Sequence, residues 1–236
     1  VIGKGAASYE GAYHFNSHSA IDSTYITFSN CYFKSNANDQ GSGGIGAGGG
    51  AINAFNSTGL GTVVTVDSCQ FLSNSSSGSF LGGTIYIGEN NHLNMSSSRV
   101  ACSETEILTT NFGGIISLNG ATSKFDNCYI SGGESGRYGG AIYATSGIGP
   151  KECLIRNTVL YNNNLLAGGS RGGAVCLNND IDLTAINVEF SKNNATAGFG
   201  NGGGAFAIYN GSSDANFINC TFADNTCGLS LIHIWR

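Results

Sequence analysis

The sequence is poor in proline, in charged residues and in long apolar runs. Its 236 residues include 1 proline and 11% charged residues, whereas ordinary domains carry about 25% charged residues. No apolar run approaches the roughly 20 residues that a membrane-spanning helix needs. The net charge of −5 is spread thinly and no basic run occurs. The sequence therefore gives no support for a nucleic-acid or anionic-membrane partner.

Glycine, with 37 residues, is abundant, and serine, asparagine and threonine take up much of the remaining polar composition. These residues form helices weakly and prefer turns and caps, so an ordinary helical protein is excluded. Low charge and much glycine also suit a disordered chain. However, 41% of the residues are hydrophobic, with 13 Phe and 10 Tyr, and this predicts a buried core.

A motif of the form Asn-Cys-x-Phe-x-x-Asn recurs along the chain. Four copies keep both the Phe and the final Asn, and three are degenerate. The central apolar residue advances in steps of 38, 29, 30, 30, 30 and 32 residues. The central residues are Phe33, Phe71, Val100, Ile130, Leu160, Phe190 and Phe222. The final asparagines are Asn36, Asn74, Asn163, Asn193 and Asn225.

A second motif, Gly-Gly-Ala-Ile and its variants, alternates with the first in six copies. Its glycine pairs are Gly49 and Gly50, Gly82 and Gly83, Gly113 and Gly114, Gly139 and Gly140, Gly172 and Gly173, and Gly203 and Gly204. Around both motifs, apolar residues occupy every second position over strand-length segments bounded by Gly, Ser and Asn. No segment shows a sustained helical period of 3.6 residues.

This pattern predicts an all-β fold, a single-stranded parallel β-helix of about seven coils with roughly 30 residues each. Equivalent residues then stack about 4.8 Å apart. The central apolar residues are expected to form an inward ladder. The asparagines are expected to line a turn and to bond one another and the backbone. The glycine pairs are expected to form a second bend.

Three segments are expected. Residues 1–24 form an irregular start, residues 25–228 form the repeat domain, and residues 229–236 break the pattern. Leu229–Arg236 resembles the translation of a transposon adapter used in sequencing libraries. We expect it to be an assembly artefact, the alternative being a genuine capping strand. The chain starts at Val1 rather than Met and is expected to be a fragment.

The 8 cysteines include four that share one repeat position, at Cys31, Cys69, Cys128 and Cys220. No Cys-x-x-Cys pair occurs, so a zinc site is not predicted. A buried ladder of free thiols is the favoured interpretation. Disulfides are the alternative if the protein is secreted.

Catalytic residues are not predicted. A β-helical hydrolase or lyase needs carboxylates that share a face on adjacent coils, but Asp67 and Asp126 lie two coils apart. Asp126 and Arg156 are expected to form a surface ion pair. Asp180 and Asp182 are expected in a solvated loop, with a weak calcium site as the alternative. No His has a Ser or Cys partner at triad spacing, and no cofactor motif occurs.

The alternation of Gly-Gly-Ala-Ile with Phe-x-x-Asn resembles the polymorphic outer membrane protein (Pmp) repeats of chlamydial autotransporters, over about residues 25–226. Three glycine motifs depart from the pattern, at Thr84, Ile115 and Phe206. The resemblance implies a right-handed β-helix at a cell surface, the outer membrane if the source is bacterial, in which these tetrapeptides are linked to adhesion. Any membrane anchor is expected outside this fragment.

Three functions remain open at this stage. The first is a non-enzymatic surface or secreted module that binds an unknown protein or glycan through variable loops and flat sides. The second is a β-helical carbohydrate-active enzyme without a visible catalytic coil. The third is a structural stalk. Under the first and third, the repeat-motif residues named above are structural, adhesive or both.

Overall fold

The computed structural model describes residues 12–15, 24–38, 48–55, 61–76, 82–102, 112–167, 170–195 and 202–228. Within these residues, 27 strands, numbered β1 to β27 in chain order, form five parallel sheets, and no helix occurs. Successive strands of the chain join different sheets in turn, so the chain winds as a β-solenoid. The predicted all-β parallel β-helix is confirmed, while its right-handed winding and its number of coils stay predictions.

Three long sheets, here called sheets I, II and III, each contain seven strands. Sheet I contains β1 (Tyr13–Phe15), β5 (Ile52–Ala54), β9 (Ile85–Ile87), β12 (Ile116–Asn119), β16 (Ile142–Thr145), β20 (Val175–Asn178) and β24 (Phe206–Ile208). Sheet II contains β2 (Thr24–Ser29), β6 (Thr62–Asp67), β10 (His92–Ser96), β13 (Thr122–Asp126), β17 (Lys151–Arg156), β21 (Ile181–Ile186) and β25 (Ala215–Ile218). Sheet III contains β3 (Tyr32–Lys34), β7 (Gln70–Leu72), β11 (Arg99–Ala101), β14 (Tyr129–Ser131), β18 (Val159–Tyr161), β22 (Glu189–Ser191) and β26 (Thr221–Ala223).

Two smaller sheets of two-residue strands follow sheet III in the chain. One contains β4 (Ala37–Asn38) and β8 (Ser75–Ser76). The other contains β15 (Glu134–Ser135), β19 (Asn164–Leu165), β23 (Asn194–Ala195) and β27 (Thr226–Cys227). The chain then returns to sheet I through the Gly-Gly turns. Among the described residues there is no helix with the length and hydropathy of a membrane span.

The core is a set of ladders in which each residue meets its equivalent on the next strand. Register in sheet III pairs the predicted inward residues one to one along the whole sheet, which confirms that ladder. The rings of Phe33 and Phe71 stack with centroids 4.7 Å apart, and those of Phe190 and Phe222 do the same. All but Phe222, which is 49% exposed on the last strand, are buried.

The turn from sheet II to sheet III depends on one residue with a positive φ. Seven residues occupy it, with φ between 47° and 54°: Asn30, Ser68, Ser97, Asn127, Asn157, Asn187 and Asn219. Asparagine tolerates this left-handed conformation better than most side chains do. The first Asn of the repeat motif is therefore explained by backbone geometry.

The second Asn of the motif forms the predicted ladder in the next turn. The Asn193 Oδ1 atom accepts hydrogen bonds from the Asn163 backbone N–H at 3.1 Å and from its Nδ2 at 2.9 Å. The Asn193 Nδ2 donates to the Leu160 carbonyl and to the Asn225 Oδ1, both at 2.9 Å. Asn36 and Asn74 are linked in the same way. Gly133 takes the asparagine position after Ile130, and its backbone N–H donates to the Asn163 Oδ1 at 3.0 Å.

The glycine pairs form the bend before sheet I, as predicted. Gly139 has a φ of 57° and Gly172 one of 68°, which disfavours a side chain at the first glycine. A Cβ at the second glycine, Gly140, would lie 2.7 Å from the Asn164 backbone nitrogen and would collide with the Gly173 carbonyl oxygen. The bend therefore requires glycine at both positions.

The asparagine ladder generates a stability prediction. The substitution Asn193→Ala leaves the Asn163 donors and the Leu160 carbonyl without their partner in a buried turn. We expect it to lower the free energy of unfolding by roughly 2–3 kcal/mol. Equilibrium urea unfolding measures this, with Asn94→Ala on the exposed face of β10 as the matched control, expected to cost less than about 0.5 kcal/mol. Equal losses in the two variants would contradict the ladder's role.

Candidate functional site

The repeat-motif residues lie mainly inside the solenoid. Phe33, Phe71 and Phe190 and the asparagines Asn36, Asn74 and Asn193 are at most 4% exposed. Five of the six glycine pairs are buried, and the exception is the pair that contains the exposed Gly203. Phe222 and Asn225 are more open, on the last described strands. A buried side chain cannot touch a partner, so the contact surface has to be sought elsewhere.

The four equivalent cysteines lie in the turn from sheet II to sheet III, and all 8 cysteines are unbridged. The Cys69 thiol donates to the Asp67 carbonyl at 3.2 Å, and the Cys69 backbone N–H donates to the Ser98 hydroxyl at 3.0 Å. Thr158 accepts from the Cys128 backbone N–H at 3.2 Å in the same way. These thiols therefore close a turn as hydroxyls do. Ser98 and Thr158 occupy the cysteine position in two other repeats, and this pattern in the sequence indicates the role.

The outer face of sheet I is buried, although strand alternation predicts that it faces solvent. Tyr86, Ser117, Tyr143 and Cys176 all point outward there and are at most 6% exposed. Burial raises the pKa of the Tyr143 hydroxyl and of the Cys176 thiol, each to about 12. Asn178 Nδ2 donates to the Tyr143 hydroxyl at 3.0 Å, which opposes part of that rise.

Part of this burial comes from a stack of aromatic side chains and one arginine. The Tyr138 ring stacks with Phe112, at 5.2 Å between centroids, and with Tyr209, at 4.9 Å. The Arg171 guanidinium lies 4.0 Å from the centre of the Tyr209 ring. Phe112, Tyr138 and Arg171 are neighbours in register, whereas Tyr209 comes from beyond β24. Sequence reasoning missed this cluster, and its members already contact one another.

The outer face of sheet II carries the acidic residues that sequence reasoning considered. The predicted surface ion pair is confirmed, with Arg156 Nη2 2.7 Å from Asp126 Oδ2. Asn157 Nδ2 also donates to Asp126 at 3.0 Å. The hydrogen bond from Arg156, followed by that from Asn157, lowers the pKa of the Asp126 carboxyl. Asp67 is held separately, by the Ser96 hydroxyl at 2.7 Å.

A shallow groove of about 430 Å³ crosses the outer face of sheet II, and His92, Lys124 and Glu152 are among its lining residues. His92 hydrogen-bonds Thr122 on the next strand, and partial burial lowers the pKa of its imidazole. Glu152 pairs in register with Asp182. This brings two carboxylates onto adjacent strands, an arrangement that sequence reasoning did not identify.

The two aspartates considered for calcium are not arranged as a site. Asp180 caps a turn, where its Oδ1 atom accepts the Ser212 backbone N–H at 3.1 Å. Asp182 lies on the strand β21 beside Glu152, so the expectation of a solvated loop is wrong for this residue. Over the described ranges, no three His, Cys, Asp or Glu side chains converge as metal ligands.

The outer face of sheet III carries several aromatic side chains. Tyr32, Gln70, Arg99, Tyr129 and Val159 form one outward column, in register on five neighbouring strands. Tyr32 is 50% exposed, and the Arg99 guanidinium lies 5.2 Å from the centre of the Tyr129 ring. A shallow groove of about 250 Å³ runs between Tyr32 and Arg99.

Comparison of the chain with family models, with curated proteins and with solved structures gave no match. The resemblance to Pmp repeats therefore stays a prediction that depends on the motifs alone.

The buried thiols predict that the free energy of unfolding decreases at alkaline pH. Burial raises the pKa of Cys153 to about 11 and that of Cys176 to about 12, against 9.0 for an ordinary thiol. Above pH 9 the unfolded chain therefore releases protons that the folded chain keeps. The free energy of unfolding then falls by about 1.4 kcal/mol per pH unit for each such proton, until the pH passes the folded pKa.

Urea unfolding between pH 8 and pH 11 measures this slope. We expect Cys176→Ala to reduce the slope by about one proton, because alanine cannot ionise in either state. Asn216→Ala, at an exposed and non-titrating position of β25, is the control and should keep the slope of the original chain. A stability that stays constant to pH 11 would contradict the role of burial.

Proposed function

We propose that this chain is a non-enzymatic recognition module, secreted or displayed at a cell surface, in which the repeats hold a rigid stack. The observation that carries the proposal is the division between interior and exterior. The motif residues that recur are used by the core and the turns, whereas the outward columns change from strand to strand. Binding specificity then belongs to the outward columns and to the inserts between repeats.

The inserts support the same function. Four stretches, two of them nine residues long and the others shorter, lead back to the Gly-Gly turns before sheet I: residues 39–47, 77–81 and 196–201 follow small strands, and residues 103–111 follow β11 of sheet III. These stretches lie outside the described residues, but their flanking strands stack in register. Their attachment points therefore form two rows along the solenoid. Variable segments held in rows on a rigid frame are a common arrangement for recognition.

The test is binding to cells or to extracellular matrix before and after insert replacement. Replacing residues 39–47 and 103–111 by short Gly-Ser connections should remove saturable binding measured by flow cytometry. The urea-unfolding m value should not change, because surface connections contribute little to the buried area. A chain that binds no cell or matrix in either form would favour the stalk over the recognition module.

A glycan-cleaving enzyme is the second candidate, and one observation favours it. Glu152 and Asp182 are neighbours in register, with backbones about 5 Å apart by strand spacing, and Glu152 lines the sheet II groove. Carboxylate pairs at about that separation hydrolyse glycosidic bonds in retaining enzymes. Release of reducing ends from acidic or neutral polysaccharides, abolished by Glu152→Gln, would establish this activity. Absence of release from either class would leave the recognition module as the better proposal.

A further inference from the structure

Building on the recognition function, we propose that the outer face of sheet III binds a glycan chain that carries carboxylates on alternate sugars. The surface is formed by Tyr32, Lys34, Gln70, Arg99 and Tyr129, and is called the tyrosine–arginine face below. It covers strands β3, β7, β11 and β14, which are adjacent in sheet III.

The face has the dimensions of a short segment of sugar chain. The groove between Tyr32 and Arg99 has a volume of about 250 Å³, and Gln70, Leu72 and Ala101 form its lining with them. Tyr32 and Arg99 lie two strands apart, so their backbones are separated by about 10 Å. One ring can lie over Gln70 while the neighbouring rings reach the side chains on either side.

The Tyr32 ring is accessible to a ligand. It is 50% exposed, and within the described part of the chain its ring stacks with no other ring and its hydroxyl has no hydrogen-bond partner. Tyrosine combines a flat apolar surface with a polar tip. This combination suits a sugar, whose ring presents C–H groups on its flat sides and hydroxyls at its edge. Tyr129 offers a second ring three strands away, partly covered by Arg99.

The charge of the face favours an anionic ligand. Strands β3, β7, β11, β14 and β18 contain two cations, Lys34 and Arg99, and no acid, although the whole chain carries a net charge of −5. No carboxylate of the described residues forms a salt bridge with Arg99. The first acid along sheet III is Glu189, which accepts from the Ser191 hydroxyl at 2.6 Å.

The position of these cations favours carboxylates on alternate sugars. Lys34 and Arg99 are on strands two apart, a separation of about 10 Å along the solenoid axis. Arg99 presents a planar fork of donors that matches a carboxylate, and Lys34 presents a point charge. In a glycan chain in which every second sugar is a uronate, the distance between successive carboxylates is similar.

A glycan fits this face better than a peptide does. β3 is the edge strand of sheet III, but the backbone groups of β7 and β11 are bonded to the strands on either side, so an extended peptide cannot join the sheet across Gln70 and Arg99. Recognition has to use side chains alone. The flat ring of Tyr32 and the amide of Gln70 suit stacking and hydroxyl recognition.

The experiment uses a defined-length oligosaccharide of alternating glucuronate and N-acetylglucosamine, titrated calorimetrically at low ionic strength. We expect saturable binding that weakens roughly tenfold in Arg99→Gln and in Tyr32→Ala, a loss of about 1.4 kcal/mol each. Arg137→Gln is the matched control, because it removes the same charge from an exposed position that lies outside both grooves. It should bind as the original chain does, and all three variants should keep its urea-unfolding midpoint.

Two comparison ligands separate the contributions of charge and ring. The same oligosaccharide with its carboxylates amidated should bind at least tenfold more weakly, roughly the effect of losing the ion pairs. A poly-glutamate peptide of similar charge should not distinguish Tyr32→Ala from the original chain. The proposal is overturned if the oligosaccharide does not bind. It is also overturned if Arg137→Gln weakens binding as much as Arg99→Gln, or if poly-glutamate binds as tightly as the glycan.

Failure of the face proposal can be distinguished from failure of the wider recognition function. If the original chain binds cells and Arg99→Gln and Tyr32→Ala bind them equally well, without measurable affinity for the oligosaccharide, the face proposal fails and recognition stands. If the oligosaccharide binds through Arg99 and Tyr32 but no cell or matrix is bound, the face proposal stands and surface recognition fails.

Discussion

The whole fold depends on the in-register stacking of equivalent residues, one strand spacing of about 4.8 Å apart. A side chain in such a ladder must be compatible with its equivalents on both neighbouring strands. Phenylalanine rings satisfy this by stacking, as Phe33 and Phe71 do, and asparagine amides satisfy it by donating to one another. Like charges directly opposite each other are unfavourable, so a stack of this kind favours neutral residues. The 11% charged residues of the chain are a consequence of that constraint.

The exterior follows the same rule less strictly, because water screens the charges there. Asp126 is opposite Arg156 on the next strand, and the two form an ion pair. Glu152 and Asp182 are opposite each other with the same sign, which the stack tolerates on an exposed face. On sheet III, by contrast, Arg99 lies between Gln70 and Tyr129 with no acid on either adjacent strand. The three outer faces therefore differ in chemistry although they share one backbone arrangement.

The repeat was sufficient to predict the fold and the ladders, because periodicity fixes which residues become neighbours. It predicted the register of Phe71 with Phe33 and the amide bonds of Asn193. It did not predict the contact of Tyr209 with Tyr138, since the two lie on different repeats and at different positions within the repeat. It also did not predict the burial of Tyr143 and Cys176, because a two-residue period gives no information about what covers a sheet from outside.

Because each repeat packs mainly against its neighbours, a change on the outside of one strand has short-range effects. The Phe71 ring is held by the strands of sheet III and by the core, whereas the adjacent Gln70 side chain points outward. Outward residues can therefore vary without loss of the stack, and inward residues cannot. This separation explains why the recurring tetrapeptides are better understood as folding elements than as contact residues. The outward positions at which the repeat changes, such as Tyr32 and Arg99, are therefore the ones that the stack allows to vary.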